Sequence, residues 1–197
     1  MKDNQVITIK LQSYSDNELL EDVEKELITG KGYLLPKLDE SILEHEVGDE
    51  YELELSVSDA YGPRERDKIR MIPGRYFKEN QVNPYKGLVV NVDGLPGKVI
   101  NASPGRVMVD FNHPLAGKDL RFKIKIIKQV TKPLEQAKAV IKSLLKQDLE
   151  VSVEGEELTI TDSLGLPEQV KEMITKELKS INNDFKSIKY LSKEWGS

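Results

Sequence analysis

Hydrophobic and polar positions alternate in three separate stretches of the chain, and each stretch reads as a half-buried strand. In the first, Ile7, Ile9 and Leu11 point one way while Thr8 and Lys10 point the other. In the second, Tyr51, Leu53, Leu55 and Val57 oppose Glu52, Glu54, Ser56 and Ser58. Tyr61 keeps the parity of that apolar face if the extended backbone reaches so far, and Gly62-Pro63 ends it. In the third, Leu120, Phe122, Ile124 and Ile126 oppose Arg121, Lys123 and Lys125. The polar face of the second stretch is acidic and that of the third is basic, so cross-strand charge pairs favour placing them side by side. Residues 49–58 and 119–128 are expected to share an antiparallel sheet despite the long separation between them.

The rest of the chain divides around these strands. A loop, Ser13 to Asn17, leads into a mixed acidic stretch, Glu18 to Glu26. After the Gly30-Lys31-Gly32 break, Leu35, Leu38 and Ile42 recur at helical spacing, and Gly48 stops that short amphipathic helix. Between the second and third strands lie Gly87 to Val92, the hairpin signal Asp93-Gly94, and two further β-rich runs, Gly97 to Ala102 and Gly105 to Asp110. A structureless loop of that length is uncommon, so an inserted small β unit is expected there. Beyond Val130, Thr131 and Pro133 read as an N-cap and first-turn pair for a helix carrying Leu134, Ala137, Ile141 and Leu144. Strands follow at Leu149 to Val153 and around Leu158 and Ile160. A second helix holds Leu166, Val170, Ile174 and Leu178, capped by Ser163 or started by Pro167, and a last strand spans Phe185 to Leu191. Trp195 is expected to dock the terminus.

Composition narrows the chemistry. With 197 residues, 38% hydrophobic and 32% charged, the chain reads as a well-solvated globular protein whose length allows one domain or two. Its 29 Lys and Arg against 34 Asp and Glu give a net charge of −5, which argues against nucleic acid and anionic membrane partners. No apolar run is long enough to span a bilayer, and the opening residues lack a signal-peptide core, so a cytoplasmic location is expected. Zero cysteines exclude disulfides, thiolate nucleophiles and cysteine zinc sites, and two distant histidines, His45 and His113, make a histidine metal centre improbable. No cofactor and no metal are expected.

The segment Asp110 to Phe122 contains the string Asn112-His113-Pro114-Leu115-Ala116-Gly117-Lys118-Asp119-Leu120-Arg121-Phe122. It closely resembles the motif before the last strand of SlyD-like and archaeal members of the FKBP peptidyl-prolyl isomerase family. Val47-Gly48-Asp49 with Val57-Ser58-Asp59-Ala60-Tyr61-Gly62 is similar to that family's VG-(D/E)…DAYG segment. Gly30-Lys31-Gly32-Tyr33-Leu34-Leu35-Pro36-Lys37-Leu38-Asp39-Glu40 is similar to its glycine loop and helix start. The resemblance covers residues 5–130.

It implies an α+β fold: an antiparallel half-barrel wrapped round a short helix (residues 1–68 and 113–130). An inserted β-rich "insert-in-flap" domain (69–112) would hold unfolded chains. A C-terminal α+β domain of unknown role (131–197) is similar to the extra domain of long archaeal members and is a candidate for self-association. The implied activity is prolyl cis–trans isomerisation coupled to chaperoning of unfolded or proline-containing polypeptides; the alternative is a holdase that kept the fold and lost turnover. Amide resonance sets a barrier of about 18–20 kcal/mol to rotation of the prolyl bond. A water-excluding groove with a few placed donors lowers it without any cysteine, histidine or metal.

The resemblance also distributes roles. Tyr61 matches the tyrosine that hydrogen-bonds the bound chain, Phe122 the aromatic wall, and Leu34 and Leu35 the aliphatic floor and its backbone donor. Leu20 falls at a hydrophobic wall and Glu21 at an acid, with Asp22 the choice after a one-residue slip. Leu38 stands where many relatives carry Trp or Leu, with packing of the short helix as the equal alternative. Leu11 and Leu27 would line the groove where relatives often carry Tyr and Phe, so weak macrolide binding and reduced turnover are expected. In the insertion, Leu88, Val90 and Met108, extended by Met71, Ile72 and Tyr76, are candidates for an exposed client patch, with a small buried core as the equal alternative.

Overall fold

A computed structural model describes residues 1–192, so Trp195 lies outside the described residues. In chain order the elements begin with β1 (Val6–Ser15), β2 (Glu18–Ile28), α1 (Pro36–Leu43), β3 (Glu50–Leu55), β4 (Ile69–Pro73), α2 (Gly74–Glu79), β5 (Val89–Val92), β6 (Leu95–Ser103) and β7 (Arg106–Asp110). They continue with β8 (Leu120–Gln129), α3 (Pro133–Leu145), β9 (Glu150–Glu154), β10 (Glu157–Asp162), α4 (Glu168–Ile181) and β11 (Ser187–Ser192). The architecture is mixed α+β with mostly antiparallel sheets and few helices. Two compact units form, residues 1–54 with 121–197, and residues 55–120.

The first unit contains a sheet of order β2-β1-β8-β3. The charge complementarity between β3 and β8 is realised: Lys123 Nζ lies 2.9 Å from Glu52 Oε1, Arg121 Nη1 3.2 Å from Glu52 Oε2, and Lys125 Nζ 3.1 Å from Glu50 Oε2. Hydrogen bonds from Lys123 and then Arg121 hold the Glu52 carboxyl below its usual range. The loop expected at Ser13 to Asn17 is instead a tight hairpin. β1 runs through Ser15, and Asp16 and Asn17 turn the chain with φ of 50° and 63°. Positive φ at both central residues fits the right-handed twist of the strands it joins. The acidic stretch is therefore strand β2, whose first half is exposed and shows no apolar alternation.

Near its start β1 is covered on both faces, not one: Val6, Ile7, Thr8 and Ile9 are all buried. The cover comes from the C-terminal residues. Val6, Ile28 and Val130 share a single core with Ala137, Val140, Ile141, Leu158, Ile160, Ile174, Leu178 and Phe185. That core is roofed by α3 and α4 and floored by a sheet of order β11-β10-β9, in which β9 and β10 are antiparallel and β10 and β11 parallel. α3 starts at Pro133 after Lys132, without a side-chain cap, so Thr131 lies outside it. Ser163 does not cap α4 either. Asp162 closes that turn instead, accepting the Leu164 and Leu166 N–H groups at 3.1 and 2.9 Å, with Lys171 Nζ 3.3 Å away. Burial pushes the Asp162 carboxyl up, but those N–H groups and Lys171 outweigh it and hold the group below its ordinary range. Phe185 precedes β11 and packs in the core rather than opening the strand.

In the second unit, β4-β7-β6-β5 form a four-stranded antiparallel sheet. One face is closed by α2, a helix that the sequence pattern does not announce. Phe77 packs there with Val90, Val92, Val99, Val107 and Val109, and Ile72, Tyr76 and Leu88 border them. The other face is not covered by that core. It carries Met71 opposite Met108, and Val89 opposite Lys98, which in turn faces Asp110 on β7. Met71 is 58% and Val89 71% exposed. The expected exposed patch thus changes membership: Val90, Leu88, Ile72 and Tyr76 belong to the buried side, whereas Met71, Met108 and Val89 share the open one.

Candidate functional site

Strand register gathers several predicted residues of the first unit into one row. Phe122 on β8 lies opposite Ser13 on β1, and Ser13 lies opposite Glu21 on β2. Side chains directly opposite across a ladder share a face, and strands stand about 4.8 Å apart, so Phe122 and Glu21 share a face roughly 10 Å apart. The next row on that face is Ile124, Leu11 and Val23. Register also separates the two acids. Asp22 pairs with Gln12 on the opposite face, where Gln12 Nε2 donates to it at 2.7 Å and Lys10 approaches at 3.7 Å. Leu20 is the extra residue of a bulge between the Ser13–Glu21 and Tyr14–Leu19 pairs, and it is 39% exposed. Phe122 is nearly buried, and Leu11, Leu27 and Leu38 are fully so. These three leucines lie in the interior, not on an open surface.

The loop before α1 is pinned from two sides. The Asp39 carboxylate reaches back to accept the Gly32 N–H at 2.9 Å and the Gly30 N–H at 3.4 Å. From the C-terminal residues, Glu177 of α4 pairs with Lys31 at 2.9 Å, and Tyr33 packs into the shared core with Lys146 over its ring. Burial, aided by Glu177, pushes the Tyr33 phenol up. Leu34 and Leu35 follow, half-buried, and the Leu35 carbonyl accepts from Leu38 and Asp39 as α1 begins.

Tyr61 belongs to the second unit. The strand ends at Leu55, so the extended parity suggested by the sequence is lost in a turn in which Ala60 N–H donates to Ser56 and Gly62 N–H to Val57. The turn is tied to the loop after β7: Asp119 accepts the Val57 N–H and the Gly62 carbonyl accepts the Gly117 N–H, both at 2.8 Å. Tyr61 is 40% exposed, and its ring stacks on His113 at 3.7 Å with planes 10° apart. His113 Nδ1 accepts the Leu115 N–H at 3.2 Å. Sequence reasoning used His113 as part of a motif and gave it no role. The available signal was its place within the same string as Phe122.

The two chain segments entering and leaving the four-stranded sheet are clasped together. Arg64 pairs with Asp110; Asn112 donates to Asp110 and to the Glu65 carbonyl, and accepts the Glu65 N–H at 2.9 Å. Burial raises the Asp110 carboxyl, but the Asn112 bonds and Arg64 outweigh it and hold the group low. Beside this clasp a cavity of about 1020 Å³ opens, lined by Val89, Lys98, Ile100, Phe111 and His113 among others. Among the described residues no cluster of His, Cys, Asp or Glu could hold a metal ion, and no helix is long and apolar enough to cross a membrane.

Residues 70–115 match the family model described as the IF domain of FKBP26. Over 103 residues the chain is 33% identical to the probable FKBP-type 16 kDa peptidyl-prolyl cis-trans isomerase of Pseudomonas fluorescens, covering 50% of this chain and 67% of that protein. The chain belongs to the FKBP-type peptidyl-prolyl cis-trans isomerase family. It is also 35% identical over 99 residues to the short-type peptidyl-prolyl cis-trans isomerase of Methanocaldococcus jannaschii, covering 50% of this chain and 63% of that one. It is 29% identical over 101 residues to the SlyD isomerase of Escherichia coli, covering 50% and 52%. This FKBP-type chain therefore spans between half and two thirds of the length of these relatives.

Proposed function

We propose that this protein is a peptidyl-prolyl cis–trans isomerase and folding chaperone, with residues 1–68 and 113–130 turning prolyl bonds and residues 69–112 holding unfolded clients. The observation that supports this is the Phe122–Ser13–Glu21 row, which puts the Phe122 ring and the Glu21 carboxylate on one sheet face in a chain of this family. In this reading Phe122 packs on the proline ring, Leu34 and Leu35 form the floor, and the Leu35 N–H donates to the bound chain. An apolar floor disfavours the charge-separated planar amide, and the donor favours the twisted one. Leu11, Leu27 and Leu38 shape that floor from beneath, since they are closed to solvent. Leu20, on its bulge, rims the groove. The insertion holds clients on its open face through Met71, Met108 and Val89. Residues 131–197 brace the loop carrying Leu34 through Glu177 and the Tyr33 packing.

The interior placement of three expected groove leucines favours one rival, a holdase without turnover. An isomerisation assay on Xaa-Pro peptides separates them. The isomerase shows a catalysed rate that Phe122→Ala lowers on the order of tenfold, equivalent to about 1.4 kcal/mol of transition-state stabilisation. A holdase shows no catalysed rate while still suppressing aggregation. Removing residues 69–112 is expected to spare short-peptide catalysis and to lower acceleration of proline-limited protein refolding; equal losses in both assays contradict the division of labour.

A further inference from the structure

The cavity beside the Arg64–Asp110–Asn112 clasp carries a charge bias as well as apolar surface. Val89, Phe111 and Pro114 give the cavity its greasy lining, and Arg64, Lys86, Lys98 and Asp110 are the charged groups there. Asp110 is already engaged by Arg64 and Asn112. Lys86 and Lys98 are exposed and enter no ion pair among the described residues. Lys98 projects from the position opposite Val89, so a free ammonium stands beside an exposed aliphatic side chain. The bias extends over the whole unit. Residues 55–120 hold ten Lys and Arg against seven Asp and Glu, a net +3, while the remaining 19 against 27 give −8, together the −5 of the chain.

We propose that this cavity selects, among unfolded polypeptides, extended segments in which an aspartate or glutamate neighbours apolar side chains. The proposal rests on the client-holding reading above and adds its chemical preference. A volume near 1020 Å³ accommodates several side chains of an extended segment. Apolar side chains cover Val89 and Phe111, and a client carboxylate meets the two unpaired ammonium groups. Basic segments meet a field of their own sign. A single-stranded nucleic acid would use several stacking aromatic platforms along a cationic track, whereas this lining offers Phe111 and a His113 ring already stacked on Tyr61.

The test uses the full chain and fluorescence anisotropy with three short labelled peptides that share one apolar centre and carry flanking Asp, Gln or Lys, plus a labelled oligothymidylate. The expected result in low salt is Asp-flanked binding about tenfold tighter than Lys-flanked, with the Gln peptide between, the scale of two exposed ion pairs. In K86E/K98E the order of the charged peptides reverses while the Gln peptide changes less than about twofold. The preference collapses near 1 M salt, where the screening length is about 3 Å. If the Gln peptide binds but flanking charge makes no difference, the preference is wrong and client holding stands. If no peptide binds, both fall. If the oligothymidylate binds more tightly than the Asp peptide and loses binding in the same variant, the face is a nucleic-acid site and the proposal is overturned.

Discussion

Two four-stranded sheets in this chain are built on the same alternation and finished differently. In β2-β1-β8-β3, the start of β1 is buried on both faces because α3, α4 and β10 supply a second cover over Val6. In β4-β7-β6-β5, one face is closed by Phe77 of α2, and the other keeps Met71 and Val89 exposed. The difference teaches that alternation specifies an apolar face but not what covers it. A face left uncovered by the rest of the chain is available for another polypeptide.

The largest break in this comparison is expected from Leu158→Ala, deep in the shared core. It should destabilise the first unit by about 2–5 kcal/mol and lower the hydrogen-exchange protection of Val6 to Ile9 together with that of β10, although the substitution lies in the C-terminal residues. Unchanged protection of β1 would show that the second cover is not coupled to the sheet.

A smaller effect, confined to the 55–120 unit, follows from Gly97→Ala. A Cβ at Gly97 would stand 2.6 Å from Val109 Cγ1 and 2.8 Å from the Phe111 ring. Overpacking there should cost about 1–3 kcal/mol, read as lost exchange protection in β5 to β7 with β1 and β8 unaffected. An unchanged unit would mean that Phe111 moves aside freely.

The smallest effect concerns pH. Because Asp110 is held below the ordinary carboxylate range, the stability that its ionised form contributes is complete above the unfolded value, about 3.9, and is lost as pH falls through the lower folded value. Asp110→Asn should therefore destabilise the 55–120 unit at neutral pH and flatten its decline in acid. A parallel decline in both proteins, followed by thermal unfolding from pH 7 down to about 3, would remove the Arg64–Asp110–Asn112 clasp from the account.

The legible parts of the fold were those in which local pattern and tertiary environment agree. The β3–β8 pairing could be read from opposite charges on their polar faces, and Glu52 meets Lys123 and Arg121 as that reading requires. The inserted strands were legible from Asp93-Gly94 and the short β-rich runs around it. Less legible were the hairpin at Asp16-Asn17, where two small polar residues accept positive φ and leave no hydrophobic trace, and α2, too short for a helical period to show. Thr8 was misread because a polar residue in an alternating strand signals solvent only when nothing packs over it.

At the candidate site, sequence could name Phe122 and leave Glu21 and Asp22 in competition, since adjacent residues differ only in the face they take. Register decides, setting Glu21 on the side of Phe122 and Asp22 on the side of Gln12. By itself the sequence determined the element types outside β2 and α2, the charge match of two distant strands and the family motifs, because these depend on neighbours one to four residues apart. Tertiary structure alone decided which apolar residues became core, which face of the inserted sheet stayed open and which lysines stayed unpaired. Those outcomes depend on what distant segments bring to cover a surface, and no local spacing encodes that.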